Sequence, residues 1–161
     1  MEKLYIVCVD DQQEVLNSLE QDLEQFDTKM NVEVADSANE AFELMEDIDA
    51  AGDFVALIIS DQVMPGVTGV EFLARVQEDP RFDGTQKMLL TGQATHQDTI
   101  EAINVGGIGN YVSKPWNREE LAGYVKAMLT RYIFSKGLDH MQYQDLLDQK
   151  VVLEEMRRTT R

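Results

Sequence analysis

The stretch FVALIISD, residues 54–61, sets the fold class of this chain. Its first six residues are all apolar, and polar side chains do not alternate with them. Such a run predicts a strand that is buried on both faces, and therefore a central strand of a parallel sheet. Asp61 follows directly, at the C-terminal end of the strand, which is the edge of an open α/β sheet where ligands bind.

The flanking sequence repeats the same unit of a strand followed by a helix. Further apolar segments of strand length lie at residues 4–9, 32–35, 87–90 and 109–113. Apolar side chains at helical spacing predict helices over residues 12–26, 95–105 and 117–132 and from residues 37 and 68 onward. Ser37 and Glu40 have the spacing of a capping box at the start of the second helix. Five strands alternating with five helices predict an α/β fold, a doubly wound five-stranded parallel sheet covered on both faces.

Composition limits the number of domains and the classes of partner. The 161 residues, 43% of them hydrophobic, suffice for one domain and an appendage of about thirty residues. The net charge of -16 repels a phosphate backbone, so direct nucleic-acid binding is not expected. The single cysteine, Cys8, lies within the first apolar segment, where it is expected to pack as a small hydrophobic side chain. No segment approaches the ~18 apolar residues of a membrane span or has the pattern of a secretory signal, so a cytoplasmic location without membrane association is expected.

Charged side chains follow three of the predicted strands. Asp10 and Asp11 come after the first strand, Asp61 after the third and Lys114 after the fifth. The carboxyl ends of parallel strands meet at one edge, so these groups should lie together. Three crowded carboxylates repel one another unless a cation offsets them. The sequence therefore predicts a divalent metal site that receives an anion, and phosphoryl transfer onto an aspartate as its chemistry.

Four motifs in order resemble the receiver domain of two-component response regulators. They are VCVDD at residues 7–11, IISDQVMPGVTG at 58–69, MLLTG at 88–92 and YVSKPW at 111–116. The resemblance covers about residues 3–131, from which we expect a receiver domain over residues 1–131. It implies a flavodoxin-like sheet with strand order 2-1-3-4-5. It also implies a phosphorylation-controlled signalling protein that is not an enzyme beyond its own phosphoryl transfer and slow autodephosphorylation.

The resemblance assigns roles to the residues at the strand ends. Asp61 is expected to be the phosphoacceptor, taking a phosphoryl group from the phosphohistidine of a sensor histidine kinase or a phosphotransfer protein. Asp11, Asp61 and the backbone carbonyl of Val63 are expected to bind Mg²⁺, and Asp10 to act mainly through a metal-bound water. Lys114 would be the second cation on the transferred group. Mg²⁺ and Lys114 together offset the three carboxylates, so catalysis would consist of positioning and charge neutralisation.

The same resemblance implies a conformational switch. Thr91 corresponds to the hydroxyl that moves to the phosphoryl oxygen, and Tyr111 to the aromatic side chain that turns inward behind it. The surface formed by the helix over 95–105, the fifth strand and the helix over 117–132 would then change and receive a partner or a second copy. The peptide bond between Lys114 and Pro115 is expected to be cis. Trp116, the next residue, is expected either to mark a receiver that precedes a larger output domain or simply to pack against the last helix.

Three residues near the motifs are expected to affect how long the phosphorylated state lasts. Gln62, Val63 and Gln93 lie next to the phosphoacceptor or two residues beyond Thr91, where the family tunes the loss of the phosphoryl group. An acid phosphatase-type hydrolase would need a general-acid aspartate at position 63, and Val63 argues against such an enzyme. The other alternative is a receiver-like protein-interaction module that works without phosphorylation.

Residues 132–161 follow the receiver as a helical extension. Apolar side chains recur among charged and amide residues there, without a sustained heptad pattern, and Gly137 is expected to separate or bend the helices. Three interpretations are open: a helix for dimerisation or signalling, a linker to an output domain, and a tail that folds back on the receiver. A homodimer or an output domain is accordingly expected to act through the C-terminal helices.

Overall fold

The computed structural model describes residues 2–92, 97, 99–100, 103 and 107–159. Its sheet has five strands: β1 Leu4–Val9, β2 Asn31–Ala35, β3 Phe54–Ser60, β4 Gln86–Thr91 and β5 Asn110–Ser113. All neighbouring strands are parallel and the order is β2-β1-β3-β4-β5. The predicted fold class and strand order are therefore confirmed. β3 is the central strand, and every residue from Val55 to Ser60 is buried.

Five helices are described over their full length: α1 Gln13–Asp22, α2 Ala38–Ala50, α3 Gly69–Glu78, α4 Arg118–Ser135 and α5 Gln149–Thr159. The first is shorter than predicted, because Leu23 leaves the helical conformation and a 3-10 turn over Glu24–Phe26 completes the segment. α4 extends beyond residue 132, where Tyr132 and Ile133 are both buried. Residues 97, 99, 100 and 103 are helical, and the rest of the helix predicted over 95–105 lies outside the described residues.

Side-chain caps begin the helices that follow β2 and β3. Ser37 Oγ accepts from the Glu40 amide at 3.1 Å, as predicted for α2. The Glu40 carboxylate accepts from the backbone of Asp36 at 3.3 Å, whereas a capping box would use the backbone of Ser37. Thr68 Oγ1 accepts from the Glu71 amide at 3.1 Å and caps α3. These caps satisfy amide groups that the first helical turn leaves without partners.

Two apolar cores lie on opposite faces of the sheet. One core contains side chains of α1 and α4, and the other contains side chains of α2 and α3. β3 contributes to both, with Leu57 and Ile59 on one face and Val55 and Ile58 on the other. Because β3 is buried on both faces, residues 54–59 are apolar without alternating polar side chains.

The C-terminal segment packs against the first of these cores. Gly137, with φ of 72°, ends α4, and a 3-10 segment over His140–Leu146 leads to α5. Tyr143, Leu146, Leu147 and Val152 are buried in the same cluster as α1 and α4. The Asp148 amide donates to Thr130 Oγ1 of α4 at 2.9 Å. These contacts are those of a segment folded back on the core beside the sheet.

The described part of the chain has no helix that combines the length and the apolar character needed to cross a membrane.

Candidate functional site

Backbone hydrogen bonds join the strand ends that carry the predicted site residues. The Asp61 amide donates to the Val9 carbonyl at 2.9 Å, and the Asp10 amide donates to the Ala35 carbonyl at 3.2 Å. On the other side, the Lys114 amide donates to the Thr91 carbonyl at 3.1 Å. The ladders of β1, β3, β4 and β5 thus end at one edge, which places the side chains that follow them in a common site.

Three carboxylates and one ammonium group meet at this edge. Asp10, Asp11 and Asp61 each offer an oxygen within 4.8 Å of the others. Lys114 Nζ lies 2.8 Å from Asp10 Oδ2 and 3.3 Å from Asp61 Oδ1. Asp10 and Asp61 are only 1% and 7% exposed, whereas Asp11 is open to solvent. One ammonium leaves the cluster with an excess of two negative charges, which a divalent cation would offset.

Burial and charge crowding act on the central carboxyl group. Desolvation raises the pKa of Asp61, and the nearby Asp10 raises it further, while Lys114 lowers it. The carboxylate of Asp10 also accepts the Gln12 amide at 2.9 Å, just before α1 begins. Asp10 is thus fixed by a backbone amide and an ammonium group, and Asp61 is the carboxylate that most needs a further cation.

The carboxylates open into a cavity of about 220 Å³, lined by Asp11, Gln12, Asp61, Val63, Thr91, Gly92 and Lys114. Carboxylate oxygens are the donors that a hard divalent cation such as Mg²⁺ prefers, and this small cation retains several waters. The donor set and the size of the cavity therefore fit Mg²⁺ with water and an anion beside it. Asp11, Asp61 and Asp10 could hold the ion.

The neighbours of Asp61 face different surroundings. Gln62 is 8% exposed, and its Oε1 accepts from the Val70 amide of α3 at 2.9 Å. This side chain therefore braces the start of α3. Val63 is 54% exposed and lies at the rim of the cavity. Gln93, the third residue of the predicted tuning set, lies outside the described residues.

Thr91 and Tyr111 lie on two different cavities. Thr91 is buried at the end of β4 and lines the cavity of the carboxylates. Tyr111 is half-buried in β5 and lines a separate cavity of about 250 Å³ with Trp116 and Tyr124. The peptide bond between Lys114 and Pro115 is cis, as expected.

Sequence reasoning missed the role of Gly69 in shaping the site. A Cβ placed on this residue would overlap the backbone carbonyl oxygen of Asp61, so only glycine allows α3 to begin so close to the end of β3. The same carbonyl oxygen accepts from Ser60 Oγ at 2.9 Å. The available signal was a glycine in the first helical turn after Thr68, where its low helix propensity calls for another reason.

The fold and site define an α/β domain with an acidic pocket at one edge of its parallel sheet, and comparison with known proteins identifies its family. The model of the response regulator receiver domain matches residues 6–126. This chain belongs to that family. Its members act in two-component signalling, bind Mg²⁺ through an acidic pocket, pair with histidine kinases and output domains, and are generally not enzymes.

Individual relatives agree with this assignment. The response regulator Rre1 of Synechocystis is 30% identical over 156 residues, which are 96% of this chain and 64% of Rre1. The hydrogenase transcriptional regulatory protein HoxA of Cupriavidus necator is 33% identical over 75% of this chain, which is 23% of HoxA. The chain thus spans less than two thirds of these curated relatives. Among solved structures, the signal receiver domain of an HD domain-containing protein from Pseudomonas fluorescens has a TM-score of 0.73 at 29% identity, with 85% of this chain and 94% of that chain covered.

Proposed function

We propose that this protein is a response regulator receiver that accepts a phosphoryl group on Asp61 from a phosphohistidine of a sensor histidine kinase or a phosphotransfer protein. The observation that carries the proposal is the pairing of the buried Asp61 carboxylate with Lys114 Nζ at 3.3 Å, beside two further carboxylates. Asp61 supplies a nucleophilic oxygen, and Lys114 supplies positive charge where the phosphoryl oxygens would arrive.

The chemistry needs no general acid or base from the chain. An Asp61 carboxylate oxygen forms a bond to phosphorus as the bond from phosphorus to the donor imidazole breaks, and the imidazole leaves with the electron pair. Asp11, Asp61 and the Val63 carbonyl would hold Mg²⁺, with Asp10 acting mainly through a water. When bound, the ion supplies the positive charge that offsets the carboxylates and the incoming phosphoryl oxygens.

The product is a regulatory acyl phosphate that the protein itself loses only slowly. A phosphatase-type hydrolase would carry an acidic residue where Val63 stands, and Val63 has no proton to give. Thr91 lines the same cavity as Asp61, which suits a hydroxyl that moves to a phosphoryl oxygen. Tyr111 would respond to that movement and carry the signal to the surface formed by β5 and α4.

The signal would pass to an output domain or to a second copy of the chain through the C-terminal helices. α4 continues past residue 131 into the extension, and residues 143–152 pack on the receiver core, so the receiver and the extension are mechanically joined. We propose residues 1–131 as the receiver and 132–161 as the helical extension that transmits its state. Such a protein would act in the cytoplasm, where kinase domains supply the phosphoryl group.

The test is phosphorylation by a small donor. The protein is incubated with Mg²⁺ and acetyl phosphate, and its intact mass is measured over time beside an Asp61→Asn variant. We expect the wild-type protein to gain the mass of one phosphoryl group and the variant to gain none. Asp27→Asn, at an exposed position, is the matched control and should be labelled like the wild type.

Other outcomes would point to the alternatives. Continuous release of phosphate during the incubation would contradict the receiver proposal and favour a hydrolase. Absence of labelling with acetyl phosphate and with a phosphorylated histidine kinase would favour an interaction module that works without phosphorylation. Beryllofluoride, which mimics a bound phosphoryl group, should bind in the same cavity, and size-exclusion chromatography with and without it tests for a homodimer.

A further inference from the structure

The only tryptophan of the chain forms a hydrogen bond to the end of the first helix. Trp116 Nε1 donates to Asp22 Oδ2 at 2.7 Å. Arg118 Nε lies 3.7 Å from the other carboxylate oxygen, with its own side chain 59% exposed. The short bond from the indole is therefore the stronger of the two contacts, since exposed ion pairs contribute little.

The position of Asp22 is unusual for an acidic residue. It is the last residue of α1, and no basic residue lies in the last turn of this helix. The negative end of the helix dipole disfavours a carboxylate there. The indole N–H offsets part of this cost, and in return the helix end holds the indole in a fixed place.

Trp116 follows Lys114 by two residues, so the contact with Asp22 lies on the segment that carries the site lysine. This segment is anchored at one end where the Lys114 amide donates to Thr91, and at the other where Asn117 Oδ1 accepts from the Glu120 amide and caps α4. Between these two anchors, the Trp116 side chain ties the segment to Asp22 at the end of α1.

A cavity lies between α1 and this segment. Its volume is about 520 Å³, and its lining includes Val15, Asp22, Lys114, Pro115 and Trp116. Lys114 also lines the smaller cavity of the carboxylates, so this residue borders both spaces. Trp116 itself packs against the core that contains α1 and α4, and its hydrogen bond to Asp22 adds a directional contact across this cavity.

We propose that the hydrogen bond between Trp116 and Asp22 is a positioning contact, which holds Lys114 Nζ within reach of Asp10 and Asp61. Trp116 and Asp22 act through Lys114, and neither touches the reacting atoms. The part of this inference that concerns phosphorylation rests on the proposed function, whereas the part that concerns metal binding does not.

Loss of the bond between Trp116 and Asp22 should change the Mg²⁺ affinity and the phosphorylation rate in opposite directions. Lys114 and a divalent cation compete for the same carboxylates, so a displaced ammonium group should strengthen Mg²⁺ binding. The same displacement removes positive charge from the incoming phosphoryl group and should slow phosphorylation. A general loosening of the site would instead weaken both, because the carboxylates would no longer be held together.

The experiment compares Trp116→Phe, which keeps an aromatic ring but lacks the N–H, with Asp22→Ala and Asp22→Asn. Initial rates with acetyl phosphate at saturating Mg²⁺ are followed by intact mass, and Mg²⁺ affinity is measured by calorimetry. We expect Trp116→Phe and Asp22→Ala to lower the rate by about fivefold and to tighten Mg²⁺ binding by about twofold, on the scale of one lost charge-assisted hydrogen bond. Asp22→Asn retains an acceptor and should recover most of the rate. Arg118→Gln removes only the long contact and is the control expected to match the wild type.

Two results would overturn the inference. One is an unchanged phosphorylation rate and unchanged Mg²⁺ affinity in Trp116→Phe and Asp22→Ala. The other is a loss of rate together with weaker Mg²⁺ binding, which would indicate a merely structural contact. If the wild-type protein is not phosphorylated at all, the proposed function fails, and the Mg²⁺ affinities of the same variants still decide the positioning role.

Discussion

Replacing Asp61 with asparagine should make the metal-free protein more stable, although it removes the proposed phosphoacceptor. The carboxylate is 7% exposed and shares its surroundings with Asp10 and Asp11, so its charge is costly in the folded state. Asparagine has nearly the same shape and no charge. The change therefore removes the electrostatic cost with little effect on packing.

The size of this stability change follows from the distances between Asp61 and the charged groups around it. At an effective dielectric constant of about 20, Lys114 Nζ at 3.3 Å attracts the Asp61 carboxylate by about 5 kcal/mol. A second carboxylate within 4.8 Å repels it by at least about 3.5 kcal/mol, and Asp11 adds a smaller amount because it is exposed. Attraction and repulsion nearly cancel, so desolvation decides the sign. We expect Asp61→Asn to raise the free energy of unfolding by about 1–2 kcal/mol.

The assay is urea unfolding at neutral pH, in EDTA and in Mg²⁺. In EDTA the variant should unfold at a higher urea concentration than the wild type. Mg²⁺ at ten times its dissociation constant should stabilise the wild type by about 1.4 kcal/mol and the variant by much less, which narrows the difference. The exposed Asp27→Asn should match the wild type in both conditions. A less stable Asp61→Asn in EDTA would refute the reasoning.

The pH dependence of the free energy of unfolding provides an independent check of the cost of the Asp61 charge. Burial and Asp10 raise the pKa of Asp61, so the folded state binds this proton more tightly than the unfolded state does. The stabilisation from the proton is complete below the unfolded pKa and is lost as the pH rises through the folded pKa. The advantage of Asp61→Asn in EDTA should therefore be greatest at neutral pH and shrink on acidification, as measured by urea unfolding at a series of pH values.

Three further changes test the packing around the site and the extension. Gly69→Ala places a methyl group against the backbone carbonyl oxygen of Asp61 and should destabilise the protein by about 2 kcal/mol or more in urea unfolding. The control is Gly123→Ala, in open space on α4, which should stabilise the protein slightly in the same assay. Burial raises the pKa of the Cys8 thiol to about 12, so Ellman's reagent should label it only in denaturant, and rapid labelling of the native protein would contradict its burial. Thr130→Val removes the acceptor for the Asp148 amide and should lower the free energy of unfolding by about 1–2 kcal/mol. It should also increase proteolysis within residues 136–148. Unchanged proteolysis would show that this bond does not hold the extension.

The strands and most helices could be read from local patterns. The unbroken apolar run of β3 is buried on both faces as predicted, because the period of side-chain exposure follows from strand geometry alone. The predicted ends of the helices agreed less well with the structure. α1 was expected to reach Phe26 and ends at Asp22, since the choice between an α-helical and a 3-10 turn depends on how Leu23 and Phe26 fit the core. Local sequence does not contain that information.

The site shows the same division. The sequence predicted that Asp10, Asp11, Asp61 and Lys114 would share one edge, and the structure brings them within a few ångströms of one another. It did not predict the contact of Trp116 with Asp22, because the two residues are 94 positions apart and nothing in either local pattern refers to the other. The sequence also did not predict that the side chain of Gln62 accepts a hydrogen bond from the backbone of α3.

By itself, the sequence determined the order of strands and helices and the charges that follow each strand, because both depend on periodicity and on the geometry of parallel sheets. Only the tertiary structure decided which oxygen Lys114 approaches, how closely Gly69 lets α3 meet the end of β3, and where residues 143–152 are buried. These outcomes depend on packing between segments distant in the chain. Such packing is a property of the whole folded molecule, and a local pattern cannot specify it.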